Sequence, residues 1–388
     1  MKSKSLTLSK YEPNFTDPRV TARIAGVLEF CKPYLLSRKP TPIPSQVLTE
    51  HFGNQKSQLA ERLRAKLLIQ SGTYAPGQKK FYSYTIKPEG FAFLSQAIGI
   101  PMPSDEEMAA DLYKDIVTGK VEPQYTEPTK GARRYHPIQT LPKALRASLF
   151  KGWYDYDIEA AAPTLVYQEA CRVRLLIEPQ RTELPYLAIR QLVEGRVAVR
   201  QHVMEVSGLD LKAAKGVLVA LFFGARLVPH HKQAVFRLVG NDRAVIERLR
   251  TDRYVSQFCR EVAQMWTVLL NHENATNGLK AMRTGVVVPK PATKAKQRMG
   301  YYLRLERRVM DTIEGAMRVQ GSVPVLIHDG FMVQRRINKA EIEAEVRRAT
   351  GFDIRLAEAK IGSGDEDLKF GLPEEDDDEA EEGREEMA

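Results

Sequence analysis

The sequence predicts a mixed α+β protein, and three observations predict it. Long stretches repeat their apolar residues at helical spacing, notably 56–69, 211–226 and 302–319. Short strand-like runs interrupt them at Trp153–Ile158 and at Val323–Val333, the second split by His328-Asp329-Gly330. The chain is 43% hydrophobic and 28% charged, a balance that supports a packed core and excludes a wholly disordered polymer. Its 388 residues suggest two or three domains.

The first 20 residues are polar and read as irregular. A helix is predicted from Val20 to about Tyr34. A short helix capped by Ser45 and ended by Gly53 follows, and then a basic helix from Lys56 to about Ile69. That helix carries Leu59, Leu63, Leu67 and Leu68 on one stripe, with Arg62, Arg64 and Lys66 elsewhere. Tyr74–Ile86 reads as a hairpin around Pro76-Gly77, with Lys79 and Lys80 at its tip. Helix, turn, basic helix and basic hairpin is the order of a winged helix, which lays its second helix on nucleic acid. A small packing module with surface lysines has the same order. Residues 100–130 are rich in Pro, Gly and acids and read as a linker. The expected organisation is an N-terminal domain over 1–110, a linker and contact segment over 111–150, a main domain over 151–365 and an acidic disordered tail over 366–388.

The net charge of +9 understates the basicity of the body. The last fifteen residues hold ten acids and one Arg384, so the chain ahead of them stands at +18. A body this basic is first a candidate polyanion binder. Simple solubility charge is the bland alternative. The acidic tail could recruit a partner subunit or compete with nucleic acid for the body. No 18-residue apolar run is present, so no membrane partner is expected. The N-terminus has no signal-peptide pattern, and Cys31, Cys171 and Cys259 are scattered. Both features fit a bacterial or phage-infected host cytoplasm.

Three segments carry candidate chemistry. Ile327-His328-Asp329-Gly330 lies between two apolar runs, and its Asp-Gly pair predicts the turn of a β-hairpin. The turn would present one His and one carboxylate. Asp157 stands at the C-terminal end of the strand Trp153–Ile158, where α/β sites gather ligands. A strand-end aspartate serves equally as a helix cap. The third segment is a helix over 211–226, with Ser207 as its expected N-cap. Lys212, Lys215, Val219, Phe223 and Arg226 fall on one stripe of it. Cations followed by an aromatic suit a nucleoside triphosphate, with lysines on phosphates and a ring under a base. Solvated lysines beside a core Phe pair would give the same pattern.

Together these segments resemble the palm and fingers of family A DNA polymerases and single-subunit phage-type RNA polymerases. Lys215, seven residues and Phe223-Gly224 are similar to motif B, which has Lys, seven residues and Tyr-Gly. Asp157 falls where motif A would be, His328-Asp329 where motif C would be, and the order is kept. Gly131–Pro142 is similar to the segment that precedes motif A, with Arg133, Arg134 and Gln139 at its polar positions. The likeness covers about residues 131–335.

The resemblance implies a template-dependent nucleotidyltransferase with two Mg²⁺ ions, Mn²⁺ being the alternative ion. Asp157 and Asp329 would bind the metals. Lys215 would meet the triphosphate, with Lys212, Arg226 and Gly224 beside it, and Phe223 would lie by the nascent base pair. His328 would support the 3′ end. Arg133, Arg134 and Gln139 would touch primer or template, as would Arg62, Lys66, Lys79 and Lys80 if the N-terminal module binds nucleic acid. Three departures stand out. Leu211 replaces an Arg four residues before the motif B Lys. Gly330 replaces the acid or Ser after motif C. Ala162 replaces the Glu that crowds the sugar 2′ position in the DNA enzymes. The last favours RNA synthesis, as in a phage-type RNA polymerase or a primase. A family A-like DNA polymerase of a phage or mobile element is the alternative. A non-catalytic replication initiator and a His-Asp phosphohydrolase are the readings from other classes.

Overall fold

The computed structural model describes residues 16–35, 41–44, 83–86, 88–97, 99, 104–127, 133–180, 185–284 and 293–362. The chain divides into two compact units, one of 1–122 with 136–149 and the other of 123–135 with 150–388. The short helix expected at 45–53, the basic helix 56–69, most of the hairpin 74–86 and the acidic tail lie outside the described residues.

In the first unit, α1 (Pro18–Leu35) matches the predicted helix. Strand β1 (Thr41–Pro44) pairs antiparallel with β2 (Ser83–Ile86), Thr41 opposite Ile86. The described end of the expected hairpin is therefore joined to a strand forty residues upstream. Helix α2 spans Pro88–Ala97. Helix α3 (Asp105–Val117) occupies part of the expected linker. Its cause is local: Ser104 Oγ accepts the Glu107 N–H, and the Glu107 carboxylate accepts the Ser104 N–H, closing a capping box. A 3₁₀ turn at Pro137–Thr140 and α4 (Lys143–Leu149) complete this unit.

The second unit is built on a four-stranded antiparallel sheet. Strand β3 (Tyr154–Ile158) is followed by α5 (Ala161–Ile177), α6 (Leu187–Glu194), α7 (Arg196–Ser207) and α8 (Leu211–Phe222). Next come α9 (Ala234–Leu238), α10 (Arg243–Thr251), α11 (Arg253–Thr284) and α12 (Lys294–Val319). The chain then returns through β4 (Val325–Ile327), β5 (Gly330–Val333), α13 (Lys339–Thr350) and β6 (Leu356–Lys360). Sheet order is β4-β5-β3-β6. Helix α12 starts eight residues before the predicted Tyr302, because Thr293 Oγ1 accepts the Lys296 N–H and caps it earlier.

The sheet has two unlike faces. Tyr156 and Ile158 of β3 and Phe331 and Val333 of β5 enter the main core, where the Tyr156 and Phe331 rings stack at 5.2 Å. Helix α5 adds Leu165, Val166, Ala170 and Val173, α11 adds Phe258, Met265, Trp266 and Leu269, and α12 adds Val309, Ile313 and Met317. Each fully buried side chain of this size contributes about 1.5–3 kcal/mol. Strand side chains alternate, so Asp155 and Asp157 point to the other face. The core thus fixes the register that presents Asp157.

Candidate active site

Asp157 lies opposite Gly330 on β5 and opposite Ala357 on β6. Directly opposed residues bring their side chains within about 5 Å. A hydrogen stands on one flank of Asp157 and a methyl on the other. Gly330 is needed for closeness: an ideal Cβ there would stand 2.5 Å from the Tyr156 carbonyl oxygen and 3.1 Å from Asp157 Oδ1. Both readings of Asp157 were open in the sequence. The helix after it is in fact capped from Ala160, without a side-chain hydrogen bond, so Asp157 is not its cap.

The hairpin turn differs by one residue from the predicted one. Ile327 pairs with Gly330, so the two turn residues are His328 and Asp329, and Gly330 is the first residue of β5. His328 takes the left-handed conformation at φ 54° and is half-buried. The Asp329 carbonyl oxygen accepts the Ile158 N–H at 3.2 Å, tying the turn to the end of β3. Asp157 and Asp329 thereby stand at the same end of adjacent strands.

The Asp329 carboxyl is pushed up to about 6, chiefly by burial, then by the anion of Glu306, against the opposing pull of Arg133 and Lys215. Glu306 was not singled out in the sequence. It is 2% exposed on α12, and its carboxylate accepts Arg133 Nε at 2.8 Å and Nη2 at 2.5 Å. Its signal was a charged residue on the core stripe of a helix, between Leu305 and Val309. Burial, together with the anion of Glu306 one turn on, holds the Tyr302 phenol far above the ordinary range.

Helix α8 is capped by Asp210, whose Oδ1 accepts the Ala213 N–H at 2.7 Å. The expected cap, Ser207, instead ends α7, with its hydroxyl bonded to the Val203 carbonyl. The helix stops at Phe222, four residues earlier than predicted, and Gly224 at φ 90° turns the chain away. Along the predicted stripe, Lys212, Val219 and Arg226 are exposed and Lys215 and Phe223 are half-buried. The Phe223 ring meets Trp266 at 6.2 Å and Tyr302 at 5.8 Å. Trp266 Nε1 also donates to the Phe222 carbonyl at 2.7 Å. The end of the lysine-bearing helix is thus joined through Tyr302 to the cluster around Asp329. Ala162 is half-buried in the first turn of α5.

Arg133, Arg134 and Gln139 each have partners within the protein. Arg133 is taken up by Glu306. Arg134 pairs with Asp311 at 2.9 Å and Glu314 at 2.5 Å and lies over the Tyr125 ring. Arg307 joins Glu127 at 2.5 Å, and the Tyr125 hydroxyl accepts the Leu326 N–H. These bonds fasten the segment 123–135 to α12 and β4. Gln139 belongs to the first unit, where it is buried and its amide oxygen accepts the His136 N–H. Both arginines and Gln139 therefore have structural partners that compete with any phosphate. Arg62, Lys66, Lys79 and Lys80 lie outside the described residues.

Among the described residues, no three His, Cys, Asp or Glu side chains converge on one point as metal ligands. Asp157 and Asp329 stand at this end of the sheet, and the Glu306 carboxylate that neighbours Asp329 is bound to Arg133. Carboxylate oxygens are the donors a hard divalent cation takes, its shell being completed by water and substrate phosphates. Among the described residues no helix is long and apolar enough to cross a membrane.

No protein-family profile and no curated protein matches the sequence. Among solved structures, the chain is similar to the POL domain of Pol1 from M. smegmatis, in complex with DNA primer-template and dNTP. The identity is 12% and the TM-score 0.36, over 88% of this chain. This chain spans 66% of that one.

Proposed function

We propose that the protein is a template-dependent nucleotidyltransferase, a nucleic acid polymerase that favours ribonucleotides. The observation that carries this reading is the register that sets Asp157 opposite Gly330. It puts the carboxylates of Asp157 and Asp329 at one end of adjacent strands, in a cradle bounded by glycine and alanine.

Asp157 and Asp329 would hold two Mg²⁺ ions, which would supply Lewis acidity for an attacking 3′-hydroxyl and a leaving pyrophosphate. Lys215, with Lys212 outside it, meets the triphosphate as point charges. Phe223, steadied by Trp266 and Tyr302, offers a face to the incoming base. His328, held by the turn, stands beside the 3′ end. Ala162 leaves the sugar 2′ position open, which favours ribonucleotides as in a phage-type RNA polymerase or a primase. Phe223 lacks the Tyr hydroxyl, and a DNA polymerase of family A type is the competing assignment. The basic body supplies a surface for the nucleic acid.

The test of the sugar assignment is competition between NTPs and dNTPs on a single-stranded template, with and without primer. Ribonucleotides should win with the native chain, and Ala162→Glu should shift choice toward dNTPs. A native preference for dNTPs that Ala162→Glu does not alter would remove Ala162 from sugar selection.

A further inference from the structure

The glycine that ends the lysine-bearing helix has a partner the polymerase reading does not use. Arg298 of α12 lies across Gly224, and its guanidinium occupies the space a Cβ there would need. Arg298 Nη1 donates to the Phe223 carbonyl at 2.8 Å. Its Nε is buried and makes no hydrogen bond among the described residues. A half-buried guanidinium with one protein acceptor is costly, since a buried donor without a partner loses its hydration for nothing. That cost falls at one place in the fold.

That position is specific. The Phe223 carbonyl it holds belongs to the residue whose ring meets Trp266, Tyr302 and Phe222. The backbone there leaves the helix: the Gly224 N–H donates to the Leu221 carbonyl and the Ala225 N–H to that of Ala220. Arg298 thus ties the last turn of α8 to α12 at the point where the ring is presented. Lys is a poor substitute, because a planar fork can lie flat on glycine and reach a carbonyl sideways, and an ammonium cannot.

We propose that Arg298 is a positioning residue that sets the seat of the nucleobase at Phe223, and that Gly224, which its φ of 90° already favours as glycine, also leaves the space Arg298 fills. This rests on the polymerase reading for its substrate, and on geometry alone for the latch.

The experiment uses the full chain with Arg298→Met, Arg298→Lys and Gly224→Ala. Amide hydrogen exchange at Gly224 and Ala225, measured without substrate, should quicken by about tenfold in Arg298→Met, the effect of one lost charge-assisted hydrogen bond. In primer extension, KM for the nucleotide should rise about tenfold with kcat within about twofold, and Arg298→Lys should recover only part of it. Gly224→Ala combined with Arg298→Met should be little worse than Gly224→Ala alone, since the alanine, besides straining the φ 90° backbone, already displaces Arg298. Unchanged exchange in Arg298→Met overturns the latch. Faster exchange with an unchanged nucleotide KM overturns the role at the base. If the native chain extends no primer, the polymerase reading fails, and the exchange result still decides the latch.

Discussion

Gly330 faces Asp157 across the β3–β5 ladder so closely that a β-carbon there would press on the Tyr156 carbonyl oxygen, 2.5 Å away. The residue after Asp329 is therefore set by packing against β3 at Tyr156 and Asp157. Gly330→Ala should lower stability by about 1–3 kcal/mol, the usual cost of overpacking, and should reduce incorporation more than that loss explains. Chemical denaturation and single-turnover incorporation measure the two effects. A tolerated alanine with native activity would show that the cradle around Asp157 is looser than its register implies.

Asp329 makes a prediction about pH. Its folded pKa, about 6, lies above the ordinary carboxylate value of 3.8. The raised value means the folded state holds the proton more tightly than the unfolded chain does. The stabilising effect of protonation is complete below pH 3.8 and is lost as pH rises through 6. At pH 7–8 in a chelator the ionised group should therefore cost about 1–3 kcal/mol, and Asp329→Asn should raise the melting temperature. The gain should shrink between pH 6 and pH 4. A variant less stable than the native chain at pH 8 would contradict this sign.

Arg133 and Glu306 form an ion pair in which the side chains are 10% and 2% exposed. Removing one partner leaves a buried charge uncompensated, at a cost of about 3–5 kcal/mol. Glu306→Gln and Arg133→Met should each destabilise strongly, and the double variant should be milder than the two losses added. Additive losses in urea denaturation would mean that the two groups act independently.

The acidic tail should compete with nucleic acid for the basic body. Deleting 374–388 should tighten binding to a random-sequence duplex at low salt, with the difference vanishing as salt rises. Equal affinity across the salt series would make the tail inert in binding.

What the sequence revealed and what it hid have physical causes. Strand β3, its following helix and the two aspartates were legible because alternation along a strand and a two-residue turn are local patterns. The turn was misplaced by one residue because Asp-Gly is itself a strong turn signal, while Gly330 is demanded by Tyr156 on another strand. The α3 helix was hidden by acidic composition, which in fact supplies its capping box. The ion pairs of Arg133 and Arg134 were hidden because their acids, Glu306, Asp311 and Glu314, lie some 170 residues away. Ala357 beside Asp157 and Arg298 over Gly224 depend on pairings no single-chain periodicity reveals.

In the proposed function Asp157 and Asp329 act together on a nucleotide. The most direct measurement is extension of a primed single-stranded template with Mg²⁺ and either NTPs or dNTPs, beside Asp157→Ala and Asp329→Ala. The native chain should lengthen the primer in a template-dictated order, and each variant should lose at least about a thousandfold in rate, as expected when a metal clamp is broken. No extension by the native chain, or extension by either variant at the native rate, would contradict the account.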